Sequence, residues 1–259
     1  MITLPFPDIT GLSRVGAAVI LVIVAIIISR WRDAGLEKDL MVATVRSFVQ
    51  LLAIGYALEF IFGLDNPVWT TMLLGFMMVV AGRTAGGRGK NVPNARWVAF
   101  AAIAGGSGLT LGTLLLLNIF TYDPQTIIPI GGMVIGNAMT VAALVMSRLS
   151  NDFQTQSNEI EQALALGAPS QVAARPQLRQ ALQNALIPIT DTTKTVGLIK
   201  LPGAMTGMIL AGASPMEAVQ LQMIVMYMLV GASAFTGLLA AWLTYRGYFT
   251  PAHQLQMPA

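Results

Sequence analysis

Apolar residues come in long runs along this chain, and the short segments between the runs hold nearly all the charge. The runs are Leu12 to Ser29, Leu40 to Phe62, Pro67 to Ala81, Trp97 to Phe120, Ile127 to Met146, Val196 to Ala213 and Ala218 to Leu243. A helix needs about 20 apolar residues to cross the hydrocarbon core, so the pattern predicts about seven transmembrane helices. The third run is short, and Pro202 with several glycines interrupts the sixth. The predicted fold class is all-α and polytopic, with residues 1–259 forming one transmembrane domain. Asp8 and Arg14 precede an apolar run too long for a signal-peptide core, so that run is read as the first span.

Charge between the runs sets a topology. Arg30, Arg32 and Lys38 follow the first run, and Arg83, Arg88, Lys90 and Arg96 follow the third. Arg148, Arg175, Arg179 and Lys194 follow the fifth, and Arg246 follows the seventh. The alternate segments carry Asp65, Asp123 and Glu217 and neither Lys nor Arg. Basic loops stay on the cytoplasmic side, so the N-terminus is expected outside and the C-terminus inside.

Composition agrees and removes several function classes. Charged residues make up only 10% of the chain and hydrophobic residues 55%, where a soluble domain carries roughly 25% charged residues. With no cysteine there is no disulfide, thiolate metal site or cysteine nucleophile. One histidine, His253, cannot build a His-rich metal site alone. The net charge of +3 is spread over loops and reads as topology, not as a nucleic-acid footprint. The partner expected from composition is lipid, in an inner or plasma membrane.

Residues 147–195 form the one sizeable polar segment, predicted as a cytoplasmic helical arm between spans five and six. Asn158 and Glu161 have capping-box spacing, and Ile160, Ala163 and Leu164 follow at helical spacing. Gly167 and Pro169 should end that helix. A second helix is expected to begin near Pro176, with Leu178, Leu182 and Leu186 on one face.

The stretch Gly82 to Asn91 invites comparison with a phosphate-binding loop and fails it. Arg88 stands where lysine is required after Gly87, and Asn91 cannot supply the hydroxyl that holds Mg²⁺. It reads as a flexible basic loop. Nucleotide hydrolysis is therefore assigned elsewhere, and this chain is expected to be no enzyme.

The segment Glu161 to Ala168, with Ala163, Leu164 and Gly167, resembles the EAA loop of ABC importer permeases, a short helix that sits in a groove of the ATPase subunit. It departs from that pattern at Gln162 and in its spacing to Ile187 and Pro188. Longer blocks are similar to the FetB-type ABC permease family: Arg46 to Phe62, Pro129 to Thr140, Ala163 to Pro169, Lys194 to Pro215 and Gln222 to Ala234. That resemblance implies the membrane subunit of an ABC transporter, associated with iron export and, in plants, with aluminium tolerance. It implies a separate ATPase that brings ATP and Mg²⁺, no cofactor on this chain, and two copies of each subunit. Glu161, Ala163, Leu164 and Gly167 would then couple to the ATPase.

Polar residues inside the runs are candidates for a translocation path, because charge at membrane depth is expensive. Arg46 and Gln50 share one face of the second run, with Glu59 near its outer end. Asn137, Thr140, Lys200 and Thr206 complete the set, and each also has a packing or interfacial explanation. Pro202, Gly203 and Gly207 are the expected break in span six. Met205, Met208, Met223 and Met226 fit gap-filling better than Cu(I) binding; no metal is assigned. The alternative function is an ion-coupled carrier, for which Glu59 is the one suitable intramembrane carboxylate.

Overall fold

The computed structural model describes residues 9–64, 66–89, 91–199 and 201–257. The described residues are helical, apart from turns and isolated bridge residues, among them the pair Phe249 and Leu255 near the C-terminus. They fall into two compact units, residues 1–65 and 66–259.

The first unit is a helical hairpin of α1 (Ile9–Trp31) and α2 (Glu37–Leu64). Asp33 and Gly35 take positive φ in the turn. Ser29 Oγ donates to Glu37 Oε1 and accepts from the Leu36 amide, closing the hairpin.

The second unit is built on α3 (Pro67–Arg88), α4 (Ala95–Leu116), α5 (Pro124–Thr155) and α10 (Pro215–Tyr248). These four pack on one another around a core that includes Ile103, Val134, Val145 and Ala240. Asn66, Asp123 and Ser214 cap α3, α5 and α10, each accepting a hydrogen bond from a first-turn amide, and proline follows each cap. Between α5 and α10 lie α6 (Ser157–Ala165), α7 (Ser170–Ala173), α8 (Arg175–Thr195) and α9 (Gly203–Leu210).

Two sets of contacts mark the ends of this unit. Tyr248 at the end of α10 donates to the carbonyl of Asn91 between α3 and α4, and its hydroxyl lies 2.9 Å from Ser150 Oγ on α5. Arg88, Arg96, Arg148 and Arg246 lie within a few residues of that junction, so it is the basic end. At the opposite end Thr71 Oγ lies 2.6 Å from the Tyr122 hydroxyl. The alternation of charge read from the sequence is therefore an alternation in space within this unit.

Among the described residues five helices are long and apolar enough to cross a membrane: α2, α3, α4, α5 and α10. α1 has 23 residues, and its stretch from Gly16 to Trp31 is apolar. The sixth predicted span is not one helix. Val196 to Ala213 contains a turn and then α9, which has 8 residues and is about 12 Å long. Pro202, at the N-cap of α9, has no amide hydrogen to donate, and Gly197 and Gly212 take positive φ on either side.

The segment 147–195, predicted as a helical arm, is divided among several helices. Its first part belongs to α5, which continues to Thr155, and its last part is α8, packed against α5 and α10. Gln177 Nε2 donates to Gln156 Oε1 just past the end of α5. Leu182 meets α10 at Gly237, beside Val141 and Val145 of α5. Thus α8 starts at the basic end and runs back antiparallel to both helices.

The expected loop from Gly82 to Asn91 is mostly helix, forming the last two turns of α3 up to Arg88. A Cβ on Gly86 would stand 2.5 Å from Arg96 Cα and 2.8 Å from Arg96 N. That glycine serves close backbone approach between α3 and α4, which a phosphate-loop reading does not require.

Candidate coupling site at the basic end

Only Ile160 of α6 is buried, and its other side chains are half-buried or exposed. The apolar side chain inserted beneath the helix holds it on the unit, while Glu161 and Gln162 are left to solvent. The predicted capping box is not formed. The helix begins at Ser157, so Asn158 is already inside it, and no side chain caps its N-terminus.

The C-terminus of α6 closes as the sequence predicts. Gly167 takes φ +88°, its amide donates to Leu164 O at 2.9 Å, and the Ala168 amide donates to Ala163 O at 3.1 Å. Those two bonds define a Schellman turn, in which the residue at Gly167 must adopt the left-handed conformation. Leu166, at the turn, is 89% exposed, an uncovered apolar side chain beside a short helix.

The residues expected to couple lie in one place. Glu161, Leu164 and Gly167 form one wall of a 570 Å³ groove whose other wall is the C-terminal tail, Ala252 to Leu255. The tail folds back after α10 through the bridge between Phe249 and Leu255 and a Gln256 amide that donates to Tyr248 O. Ala163 lies beside the groove as the carbonyl of the Schellman turn.

A polar junction fixes the two walls together. Ser170 at the start of α7 is buried, and its Oγ lies 2.6 Å from the Tyr245 hydroxyl and 2.7 Å from His253 Nδ1. The Ser170 amide also donates toward His253 Nδ1 at 3.4 Å. With an amide pointing at it, Nδ1 is placed to accept. Sequence reading missed Ser170, Tyr245 and this role for His253. A lone histidine in a tail gives no signal, and its partner lies 83 residues away.

The residues considered for a translocation path fall in both units. Arg46, Gln50 and Glu59 are all exposed on α2, in the first unit. In the second unit the Asn137 amide donates to Ser233 Oγ at 2.5 Å and to Leu229 O at 3.2 Å, joining α5 to α10. Thr140 is exposed and its hydroxyl donates to Gly136 O within α5. Thr206 does the same to Pro202 O in α9, while Gly203 and Gly207 face open space. Lys200 lies outside the described residues. Among the described residues no group of three or more His, Asp or Glu side chains could hold a metal ion.

Parallel apolar helices whose basic ends meet on one side define a multi-pass helical membrane protein. The chain belongs to the family described as Uncharacterised protein family (UPF0014), which matches residues 12–249. It is 45% identical over 246 residues to Protein ALUMINUM SENSITIVE 3 of Arabidopsis thaliana, covering 95% of this chain and 90% of that one. It is 44% identical over 245 residues to UPF0014 membrane protein STAR2 of Oryza sativa subsp. japonica, covering 95% and 86%. It is 37% identical over 238 residues to the Probable iron export permease protein FetB of Escherichia coli (strain K12), covering 92% of each. No solved structure matches the chain.

Proposed function

We propose that this chain is the membrane-spanning permease of an ABC transporter that exports a metal ion, with ATP and Mg²⁺ bound by a separate ATPase subunit. One observation carries the reading. A short helix, α6, stands uncovered at the basic end, ended by a glycine turn and flanked by a groove. A groove-and-helix surface of that kind suits docking of another protein. The basic end would then be the cytoplasmic face, and the chain would sit in the inner or plasma membrane. Two permease copies and two ATPase subunits would make the complex, with ATP-driven closure pushing Glu161 to Gly167. The name of the Escherichia coli relative, an iron export permease, supports iron as cargo and export as direction.

Gentle affinity purification from native membranes, followed by a vanadate-sensitive ATPase assay, tests this. A stoichiometric ATP-binding subunit should accompany the chain and be lost when Glu161 and Gly167 are replaced together. Purification of the chain alone, without ATPase activity, would overturn the reading and move the assignment to an ion-coupled carrier.

A further inference from the structure

Lipid accepts only apolar side chains on the outside of a spanning bundle, because polar groups find no partner there. The uncovered sides of α3 and α10 obey this. Met72, Phe76 and Val80 are exposed on α3, and Tyr227, Val230, Leu238 and Trp242 on α10. The uncovered side of α8 does not. Gln180, Gln183, Ile187, Asp191 and Lys194 recur on it at intervals of three and four residues, and all are exposed. Only one of these side chains is apolar. The opposite side of α8, with Gln177, Ala181, Ala185 and Ile189, is buried on α5 and α10.

The depth of α8 follows from its contacts. Leu182 meets α10 at Gly237, nine residues before Arg246, or about 14 Å from the basic end. Asp191 is nine residues further along α8, about another 14 Å in the antiparallel direction. The sum matches the thickness of the hydrocarbon core, about 30 Å.

We propose that α8 is itself a membrane crossing, and that its uncovered face from Gln180 to Asp191 lines a water-filled path. Gln180, Gln183 and Asn184 are neutral amides and Asp191 is a carboxylate at the far mouth, polar groups that need water where no protein covers them. The open groove along Arg175, Arg179, Gln180, Gln183 and Asn184 is the basic-end entrance. The water-filled face does not rest on the permease reading above.

The chain contains no cysteine, so single cysteines can be placed without background. Gln180→Cys, Gln183→Cys, Ile187→Cys, Asp191→Cys and, as a lipid-facing control, Leu238→Cys are introduced into the full chain in membrane vesicles of both orientations. A membrane-impermeant methanethiosulfonate reagent is then applied to one side at a time. Gln180→Cys should react from the basic-end side, Asp191→Cys from the opposite side, and Leu238→Cys from neither. Reaction of Gln183→Cys and Ile187→Cys from either side completes the water path. Reaction of Asp191→Cys from the basic-end side alone would put α8 on the membrane surface and overturn the proposal. Protection of both Gln183→Cys and Ile187→Cys, with labelling restored on denaturation, would overturn it by showing that protein or lipid covers the face. A water-lined α8 in a chain that purifies without an ATPase would sink the proposed function and leave the path standing. A copurifying ATPase with a protected α8 would do the reverse.

Discussion

The Tyr245 hydroxyl lies 2.6 Å from Ser170 Oγ, joining the last turn of the longest helix to the first residue of α7. His253 Nδ1 meets the same oxygen at 2.7 Å, so one serine ties the bundle, the short helices and the tail. Ser170→Ala removes both bonds and strands a buried tyrosine hydroxyl, which should cost about 1–3 kcal/mol. Tyr245→Phe removes one bond without stranding a tyrosine group and should cost about 1 kcal/mol. Thermal melts in detergent check the order of the two. Equal melting temperatures for Ser170→Ala and the unaltered chain would show that the junction contributes nothing.

Gly167 should matter more to coupling than to folding. Its φ of +88° suits glycine, and open space surrounds the position where a Cβ would stand. A β-branched side chain there should cost about 1–3 kcal/mol in strain alone. Gly167→Val is expected to insert and fold, yet to lose ATP-driven transport. Vesicle uptake with normal ATP dependence would contradict the role of this turn.

Gly86 behaves oppositely, because the space beside it is filled by backbone. A valine at this position would press on Arg96 Cα and N and should destabilise the unit by about 1–3 kcal/mol. The expected readout is reduced yield of folded protein in detergent, with Gly87→Val, which faces open space, as the tolerated neighbour.

Asn137 and Ser233 form a hydrogen bond between α5 and α10 at 2.5 Å. Such bonds inside membranes average about 0.6 kcal/mol in double-mutant cycles. A cycle of Asn137→Ala and Ser233→Ala should return a coupling of that size. A coupling near zero, with transport lost in Asn137→Ala, would instead assign the amide to the path.

Asp123 provides a pH test outside the spans. Hydrogen bonds from Thr121 and then Thr126 hold its carboxyl below the ordinary value, and it caps α5. A carboxylate with a lowered folded-state pKa adds stability above its unfolded pKa, and that stability is lost as pH falls through the folded value. The melting temperature of Asp123→Asn should therefore lie below that of the unaltered chain at neutral pH, with the gap narrowing on acidification. A gap independent of pH would show that the neutral side chain caps equally well.

Much of the candidate site was legible before the fold was known. Glu161, Leu164 and Gly167 are close in sequence, and a helix ended by glycine is a local device, so spacing alone placed them on one surface. Ser170, Tyr245 and His253 were not legible, because side chains separated by 75 and 83 residues meet only when α10 returns to the basic end.

The sequence by itself determined the solvent and the alternation of the chain. Long apolar runs and one-sided basic segments are one-dimensional properties, and a bilayer reads them directly because unsatisfied backbone cannot enter it. Tertiary structure alone decided where α8 belongs. Its buried side is Gln177, Ala181, Ala185 and Ile189, and the rest is polar, a composition that a water-exposed helix shares. Nothing local separates a helix with a wet face inside a bundle from one lying outside it. The distinction came from Leu182 meeting Gly237 between two apolar helices. The same contact explains why Val196 to Ala213, the more apolar stretch, need not cross as one helix: α8 already runs alongside α5 and α10 before it.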